Sequence, residues 1–234
     1  MVGFKNPKKI KRLFNKISYK YDLLNNLLSL GMHKLWKKKL IDLLKPKKGE
    51  HWADLCCGTG DMAFLLDNLV APDGFVIGFD MAYEIIKVAK EKSNKFPTNS
   101  ISWITKDIFE IDHTANKFDG ICMSYGLRNL DNIEKGIKKV YLMLKKEGRA
   151  GFLDFNRTKN NSYSSIFQRL FLRCVVVPIS GIFNLKDEYA YIEKSISIFP
   201  EGKDLITISK KIGFKKVKYQ EIFAGQMGLL LVQK

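Results

Sequence analysis

Two glycines, Gly58 and Gly60, follow an apolar run ending in Asp54-Leu55, and a carboxylate, Asp80, ends a second apolar run twenty residues after Gly60. Glycines in a tight turn open backbone angles closed to other residues and let a ligand approach the main chain. The helix that follows such a turn leaves its first N–H groups free to bond that ligand. A strand ending in an ionised Asp suits a ribose, whose two hydroxyls can both donate to it. These residues describe a cradle for a nucleoside-bearing cofactor, the alternative being an ordinary strand-turn-helix. The dinucleotide fingerprint remains open, because Ala63 stands where its third glycine would be and alanine can fill that place. Asp54 before the turn and Asp61 after it put acidic groups where a pyrophosphate would sit. That favours a cationic or zwitterionic ligand such as the aminopropyl-sulfonium part of S-adenosylmethionine.

The elements that must position these residues can be read from apolar periodicity. Pro7 to Ser18, Tyr21 to Leu30 and Met32 to Leu44 read as helices, closed by the Pro46-Lys47-Lys48-Gly49 turn. Strand and helix then alternate: His51 to Cys56 strand, Gly60 to Leu69 helix, Gly74 to Asp80 strand, Tyr83 to Asn94 helix. Ile101 to Thr105 and Phe118 to Ser124 are the third and fourth strands; Asp131 to Leu144 is a helix, and Arg149 to Phe155 a fifth strand after a Lys146-Glu147-Gly148 turn. Ser162 to Pro178, Glu188 to Ser195 and Gly202 to Ile212 read as helices, and Lys215 to Ile222 with Met227 to Gln233 as a closing strand pair through Ala224-Gly225. The pattern predicts an α/β fold with a doubly wound parallel sheet and an antiparallel strand at its end. Ligands of such sheets sit at the carboxyl ends of the strands. Residues 1–48 are expected to form a basic helical cap and 49–234 a single catalytic unit with a helical insertion at about 160–200.

Composition bounds the partners. The 234 residues carry 40 Lys and Arg against 24 Asp and Glu, a net charge of +16, and residues 1–48 hold 14 of those basic residues and only 2 of the acidic ones. A face so basic favours an anionic partner, nucleic acid or an acidic membrane surface, unless the lysines are merely solvated. No run reaches the ~20 apolar residues of a membrane span; Phe167 to Leu185 comes nearest but contains Arg169, Arg173 and Pro178. Met1 to Ser18 is lysine-studded and lacks the apolar core of a signal peptide. Adjacent Cys56 and Cys57 cannot supply the C-x-x-C spacing of a zinc site, so no metal is expected, and nothing suggests a disulfide framework.

Tyr21-Asp22-Leu23-Leu24-Asn25, then Ser29, His33 and Trp36, with Gly126-Leu127-Arg128-Asn129 after the fourth strand, resembles the ubiquinone/menaquinone C-methyltransferase family. Asp54-Leu55-Cys56-Cys57-Gly58, Leu153-Asp154-Phe155-Asn156, Glu188-Tyr189-Ala190-Tyr191 and Ser195 to Pro200 are most similar to its phylloquinone branch. The resemblance spans the chain and implies a class I S-adenosylmethionine methyltransferase fold with a seven-stranded sheet. It implies C-methylation of a prenylated or phytylated naphthoquinol, the last step toward phylloquinone or menaquinone. A ubiquinone-pathway enzyme, a nucleic-acid methyltransferase and an NAD-linked oxidoreductase are the alternatives. Ser124-Tyr125-Gly126-Leu127 lacks the Asn or Asp followed by Pro-Pro of amino-methylating nucleic-acid enzymes, so no nucleic acid is expected.

By the resemblance, Gly58, Thr59 and Gly60 line the methionine part of S-adenosylmethionine, Asp80 takes the ribose, Asp107 and the Ile108 backbone bracket the adenine, Ser124 closes the site, and Asp54 is a further cofactor-binding residue. Asp107 can also be read as a helix N-cap. The acceptor is expected just beyond the fourth strand. There Arg128 would stabilise a phenolate or orient a water, with Asn129 as its hydrogen-bonding partner, and Tyr21 and His33 are candidate proton acceptors or relays. A substrate held in lipid implies a cytoplasmic enzyme peripheral on an anionic membrane, with the cap helices and Phe167 to Leu185 as docking material.

Overall fold

The computed structural model describes residues 7–95, 98, 100–111, 117–157 and 186–234. Helices α1 (Pro7–Ile17), α2 (Tyr21–Ser29) and α3 (Met32–Leu44) come first. Leu30 and Gly31, with φ of 50° and 76°, make the reversal between α2 and α3. Seven strands follow: β1 (His51–Leu55), β2 (Phe75–Asp80), β3 (Ile101–Thr105), β4 (Phe118–Ser124), β5 (Leu144–Phe155), β6 (Lys216–Ile222) and β7 (Met227–Gln233). Between them lie α4 (Asp61–Val70), α5 (Tyr83–Lys95), α6 (Ile133–Met143), α7 (Lys186–Ser197) and α8 (Gly202–Ile212). The expected helix over Ser162 to Pro178, like the whole Phe167 to Leu185 segment, lies outside the described residues.

The sheet order is β3-β2-β1-β4-β5-β7-β6, and β7 runs antiparallel to both β5 and β6. Strand direction therefore reverses only at the end, as the closing hairpin predicts. The connections change sides between β1 and β4, and this switch point leaves a crevice at the strand ends. Period-two alternation loads both faces. Ala53, Leu55, Ile121, Met123, Ala150, Phe152, Leu230 and Val232 point to the side covered by α6 and α8. Trp52, Val76, Cys122, Leu153 and Leu229 point to the side covered by α3 and α4, where Leu40, Ile41, Leu44, Met62 and Leu66 pack. The third N-terminal helix is thus part of the sheet's covering layer.

One boundary differs from the sequence reading. The Lys146-Glu147-Gly148 run sits inside a single strand that begins at Leu144, directly after α6. Glu147 has φ of 61°, and the register against β4 jumps from Phe118↔Leu144 to Gly120↔Arg149. A glycine-marked bulge and a glycine-marked turn carry the same local signal.

Trp103 on β3 explains two glycines. Its indole lies beside Gly78, its register partner on β2, and beside Gly60, and Nε1 donates to Ser93 Oγ on α5 at 2.8 Å. A Cβ on Gly78 would lie 2.6 Å from the indole and 3.1 Å from Cys57 Sγ. Gly78→Ala is therefore expected to lower stability by ~1–3 kcal/mol through overpacking, measured by chemical denaturation; an unchanged midpoint would mean that the indole can shift freely.

Candidate active site

The glycine turn is shaped by buried carboxylates rather than by glycine alone. Asp54 is buried at the end of β1, where its Oδ2 accepts the Ala63 N–H at 3.1 Å and its Oδ1 the Cys122 thiol at 3.4 Å. Burial pushes this carboxyl up to about 7, only partly offset by those donors and by Lys37. Asp80, half-buried at the end of β2, accepts the Gly58 N–H at 3.0 Å and the Ala82 N–H at 2.9 Å, one on each oxygen. Burial raises it to about 6 against the pull of those N–H groups. The Met81 N–H also bonds this carboxylate, which still has acceptor capacity for a further donor. Between the two carboxylates the chain turns with Cys56, Gly58 and Gly60 at φ of 55°, 56° and 92°.

A cavity of about 750 Å³, counting its open mouth, lies over the ends of β1, β2, β3 and β4. Leu55, Cys56 and Gly58 come from the turn, Phe79, Asp80 and Met81 from β2, Lys106 to Phe109 from the segment after β3, and Ser124 to Gly126 with Asn129 to Asp131 from the segment after β4. The cap closes it with Pro7, Ile10, Phe14 and Tyr21. Small-molecule sites combine apolar walls with a few placed polar groups, as this lining does.

The predicted site residues divide between wall and interior. Gly58, Asp80, Asp107, Ile108, Ser124, Tyr21 and Asn129 line the cavity. Asp107 also caps a short helical turn by accepting the Phe109 N–H at 2.9 Å, as its N-cap reading expects. Asp54 faces inward, as its partners show. Thr59 is buried and donates its hydroxyl to Asp22 Oδ1 at 2.5 Å, and Gly60 packs on Trp103 and Phe64. The acidity invoked against a pyrophosphate is also absent in that form: Asp61 is paired with Lys37 at 2.9 Å and Lys92 at 3.5 Å.

Arg128 is buried, and its partner is Asp154 rather than Asn129. Nη1 meets Asp154 Oδ1 at 2.6 Å, the Arg128 backbone N–H donates to Asp154 Oδ2 at 3.0 Å, and Phe155 lies under the guanidinium. Burial opposes the charge, but Asp154 more than compensates and raises the guanidinium further. Its Nε–H has no protein partner. Asn129 is fixed differently, giving Nδ2–H to the Tyr125 carbonyl at 3.1 Å and accepting the Tyr191 hydroxyl of α7 at 3.0 Å. His33 is buried away from the cavity, its Nδ1 2.7 Å from Ser29 Oγ. Burial and Lys37 lower it to about 4, so it is neutral at physiological pH.

Three functional groups escaped the sequence reading. Tyr125 lines the cavity with its hydroxyl buried and unpartnered, and the Asn25 side chain lies against the Tyr21 phenol and favours its ionised form. Native structures leave few such groups unpaired, so the Tyr125 hydroxyl fits a site that takes its last partner from a ligand. Asn25 stood in the N-terminal signature, and Tyr191 in the Glu-Tyr-Ala-Tyr run, without either being given a role.

The family model described as the ubiE/COQ5 methyltransferase family matches residues 1–234. The chain belongs to that family. It is 38% identical over 226 residues to a 2-phytyl-1,4-naphtoquinone methyltransferase of Nostoc punctiforme, covering 96% of this chain and 98% of the relative. It is 36% identical over 237 residues to the chloroplastic 2-phytyl-1,4-beta-naphthoquinone methyltransferase of Arabidopsis thaliana, covering 100% and 90%. Among solved structures it is similar to an Aquifex aeolicus SAM-dependent methyltransferase (TM-score 0.61, 16% identity, 84% of this chain and 88% of that one). A Haemonchus contortus phosphoethanolamine N-methyltransferase 2 in complex with S-adenosyl-L-methionine gives TM-score 0.65 at 13% identity, over 85% and 52%. The fold is that of the S-adenosylmethionine-dependent methyltransferases, and S-adenosylmethionine is the cofactor of this chain.

Two outcomes follow from the geometry. Asp154→Ala strands a buried guanidinium and should cost ~3–5 kcal/mol of stability by chemical denaturation; a loss under 1 kcal/mol would mean that Arg128 reaches water. Ribose hydroxyls donate best to an ionised Asp80, so affinity for S-adenosylhomocysteine should be constant above pH 7 and weaken about tenfold per unit below pH 6. Asp80→Asn should flatten that profile, and the same slope in the variant would assign the titration to another group.

Proposed function

We propose that this enzyme methylates a ring carbon of reduced 2-phytyl-1,4-naphthoquinone, the last step toward phylloquinone. The observation that carries the substrate is 36–38% identity, over nearly the whole of both chains, to relatives named for that reaction. The site supports it by holding a carboxylate for a ribose and, across the same cavity, phenol and amide groups suited to a ring oxygen.

When bound, S-adenosylmethionine supplies an electrophilic methyl group on a positively charged sulfur. Asp80 would accept the ribose hydroxyls, Asp107 and Ile108 would bracket the adenine, and Gly58 with Ser124 would bound the methionine arm. Thr59, buried against Asp22, supports that arm through the shape of the turn. A quinone ring is electron-poor, so the acceptor is the quinol; withdrawing a proton from one hydroxyl pushes density onto the neighbouring carbon. Burial raises the Tyr21 phenol, with Lys37 pulling the other way, so Tyr21 acts as a neutral donor and acceptor toward that hydroxyl. Asn129, fixed by Tyr191 and the Tyr125 carbonyl, orients the ring. Arg128 contributes positive potential from behind the wall, its guanidinium held there by Asp154.

The cap suits a substrate that stays in lipid. Tyr19, Leu23, Leu27, Leu30 and Leu35 are exposed, Leu30 to 77%, with Leu23 and Leu27 on one face of α2 by their spacing and Leu30 in the turn that follows it. Exposed lysines 8, 9, 11, 16, 34, 38 and 39 surround them in sequence. Among the described residues no helix is long and apolar enough to cross a membrane. Peripheral docking is the matching mode, each Lys or Arg near an anionic surface contributing ~1 kcal/mol.

Turnover decides the reading. With the phytylated naphthoquinol, methyl incorporation should be rapid and should vanish with the oxidised quinone; Arg128→Ala should lose ~10²–10³ in rate with little change in cofactor affinity. Equal activity on quinone and quinol would overturn the acceptor scheme. Co-sedimentation with anionic vesicles should fall as salt rises, and binding to neutral vesicles that ignores salt would contradict docking by charge.

A further inference from the structure

Asp22 stands beside Tyr21 in the N-terminal signature, yet the reaction scheme above gives it no work. Its carboxylate accepts the Thr59 hydroxyl on Oδ1 at 2.5 Å and pairs with Lys92 of α5 through Oδ2 at 2.5 Å. Lys92 also reaches Asp61 at the start of α4 at 3.5 Å, and Asp61 is held by Lys37 of α3 at 2.9 Å. Lys37 is buried, burial opposing its charge while Asp61 restores it. The result is a chain of alternating charge, Lys37-Asp61-Lys92-Asp22, ending on the hydroxyl of the glycine turn. It joins two cap helices to the turn, α4 and α5.

We infer that Asp22 is a positioning residue: it fixes the first turn of α2 on the glycine turn and thereby sets the Tyr21 phenol over Gly58, where the acceptor ring must meet the cofactor. A Cβ built on Gly58 would sit 3.4 Å from the Tyr21 ring, so the phenol already rests on the turn. The edge-on contact of Phe14 at 6.0 Å between centroids limits the ring from the other side. Adjacent residues on a helix point about 100° apart, so Asp22 can grip Thr59 and Lys92 while Tyr21 faces the cavity. Among the described residues no other hydrogen bond or ion pair of α2 reaches the turn, which makes the carboxylate the point where cap and cofactor cradle are registered.

The inference rests on the proposed quinol reaction for its kinetic test and stands apart from it for its spectroscopic one. Asp22→Ala should lower kcat on the naphthoquinol by ~10–100-fold, the scale of a reacting group misplaced by about an ångström, with KM changed little. In a Tyr21→Phe background the same substitution should add almost nothing, because both variants remove one correctly placed phenol. Asp22→Asn keeps an acceptor for Thr59, loses the charge facing Lys92, and should fall between parent and Asp22→Ala; it also serves if the alanine variant does not fold. With 13C-labelled tyrosine, the Tyr21 ring signal, assigned from Tyr21→Phe, should shift in Asp22→Asn while the other eight tyrosines hold their positions. A parent enzyme without naphthoquinol turnover would refute the proposed reaction and leave this spectrum to judge Asp22. Additive losses in kcat, an unaffected kcat, or an unmoved Tyr21 signal would each overturn the positioning role.

Discussion

Two carboxylates, Asp54 buried and Asp80 half-buried, set the backbone between β1 and α4, and everything at the site is referred to that segment. Asp54 reaches forward to the Ala63 N–H and Asp80 reaches across to the Gly58 N–H, so the turn is held at both ends by acceptors from the sheet. Carboxylates buried this way are costly unless donors meet them, and here the donors are the backbone groups whose direction matters. The cradle is therefore formed by the protein's own bonds. Asp80 can serve the turn and a ribose together because a carboxylate has about four lone-pair sites and the backbone takes three of them.

The cap is bound to this segment by charge rather than by apolar burial alone. α3 packs Leu40, Ile41 and Leu44 onto the sheet in the ordinary way. α2 meets the turn through Asp22, and α1 lends Ile10 and Phe14 to the cavity wall. Opposite Tyr21, the segment after β4 is fixed by Asp154 taking both the backbone and the side chain of Arg128, and by Tyr191 holding Asn129. The acceptor side is thus assembled from four separate parts of the chain, while the cofactor side comes from consecutive strand ends.

That contrast explains what could be read from the sequence. Strand ends are local: alternating residues name the strand, a carboxylate closes it, and the place of Asp80 at the crevice follows. The bounds of β3, β4, α8 and β7 follow from the same periodicity. Arg128 was tied to its sequence neighbour Asn129, whereas its partner stands 26 residues away on the next strand, a pairing visible only once β4 and β5 are side by side. His33 and Tyr21 carried equal weight because both lie in cap helices, but only Tyr21 turns toward the cavity. Gly60 was given to the ligand because the conformational demand of its turn is the same whether a ligand or the Trp103 indole lies against it.

A turn fixed by Asp54 and Asp80 presents this crevice to S-adenosylmethionine, the cofactor of the family, in place of a dinucleotide. Calorimetric titration of the full chain with S-adenosylhomocysteine, and separately with NADH, tests it directly. The account predicts saturable binding of S-adenosylhomocysteine at one site per chain and no heat from NADH. Binding of NADH that S-adenosylhomocysteine competes away would contradict it.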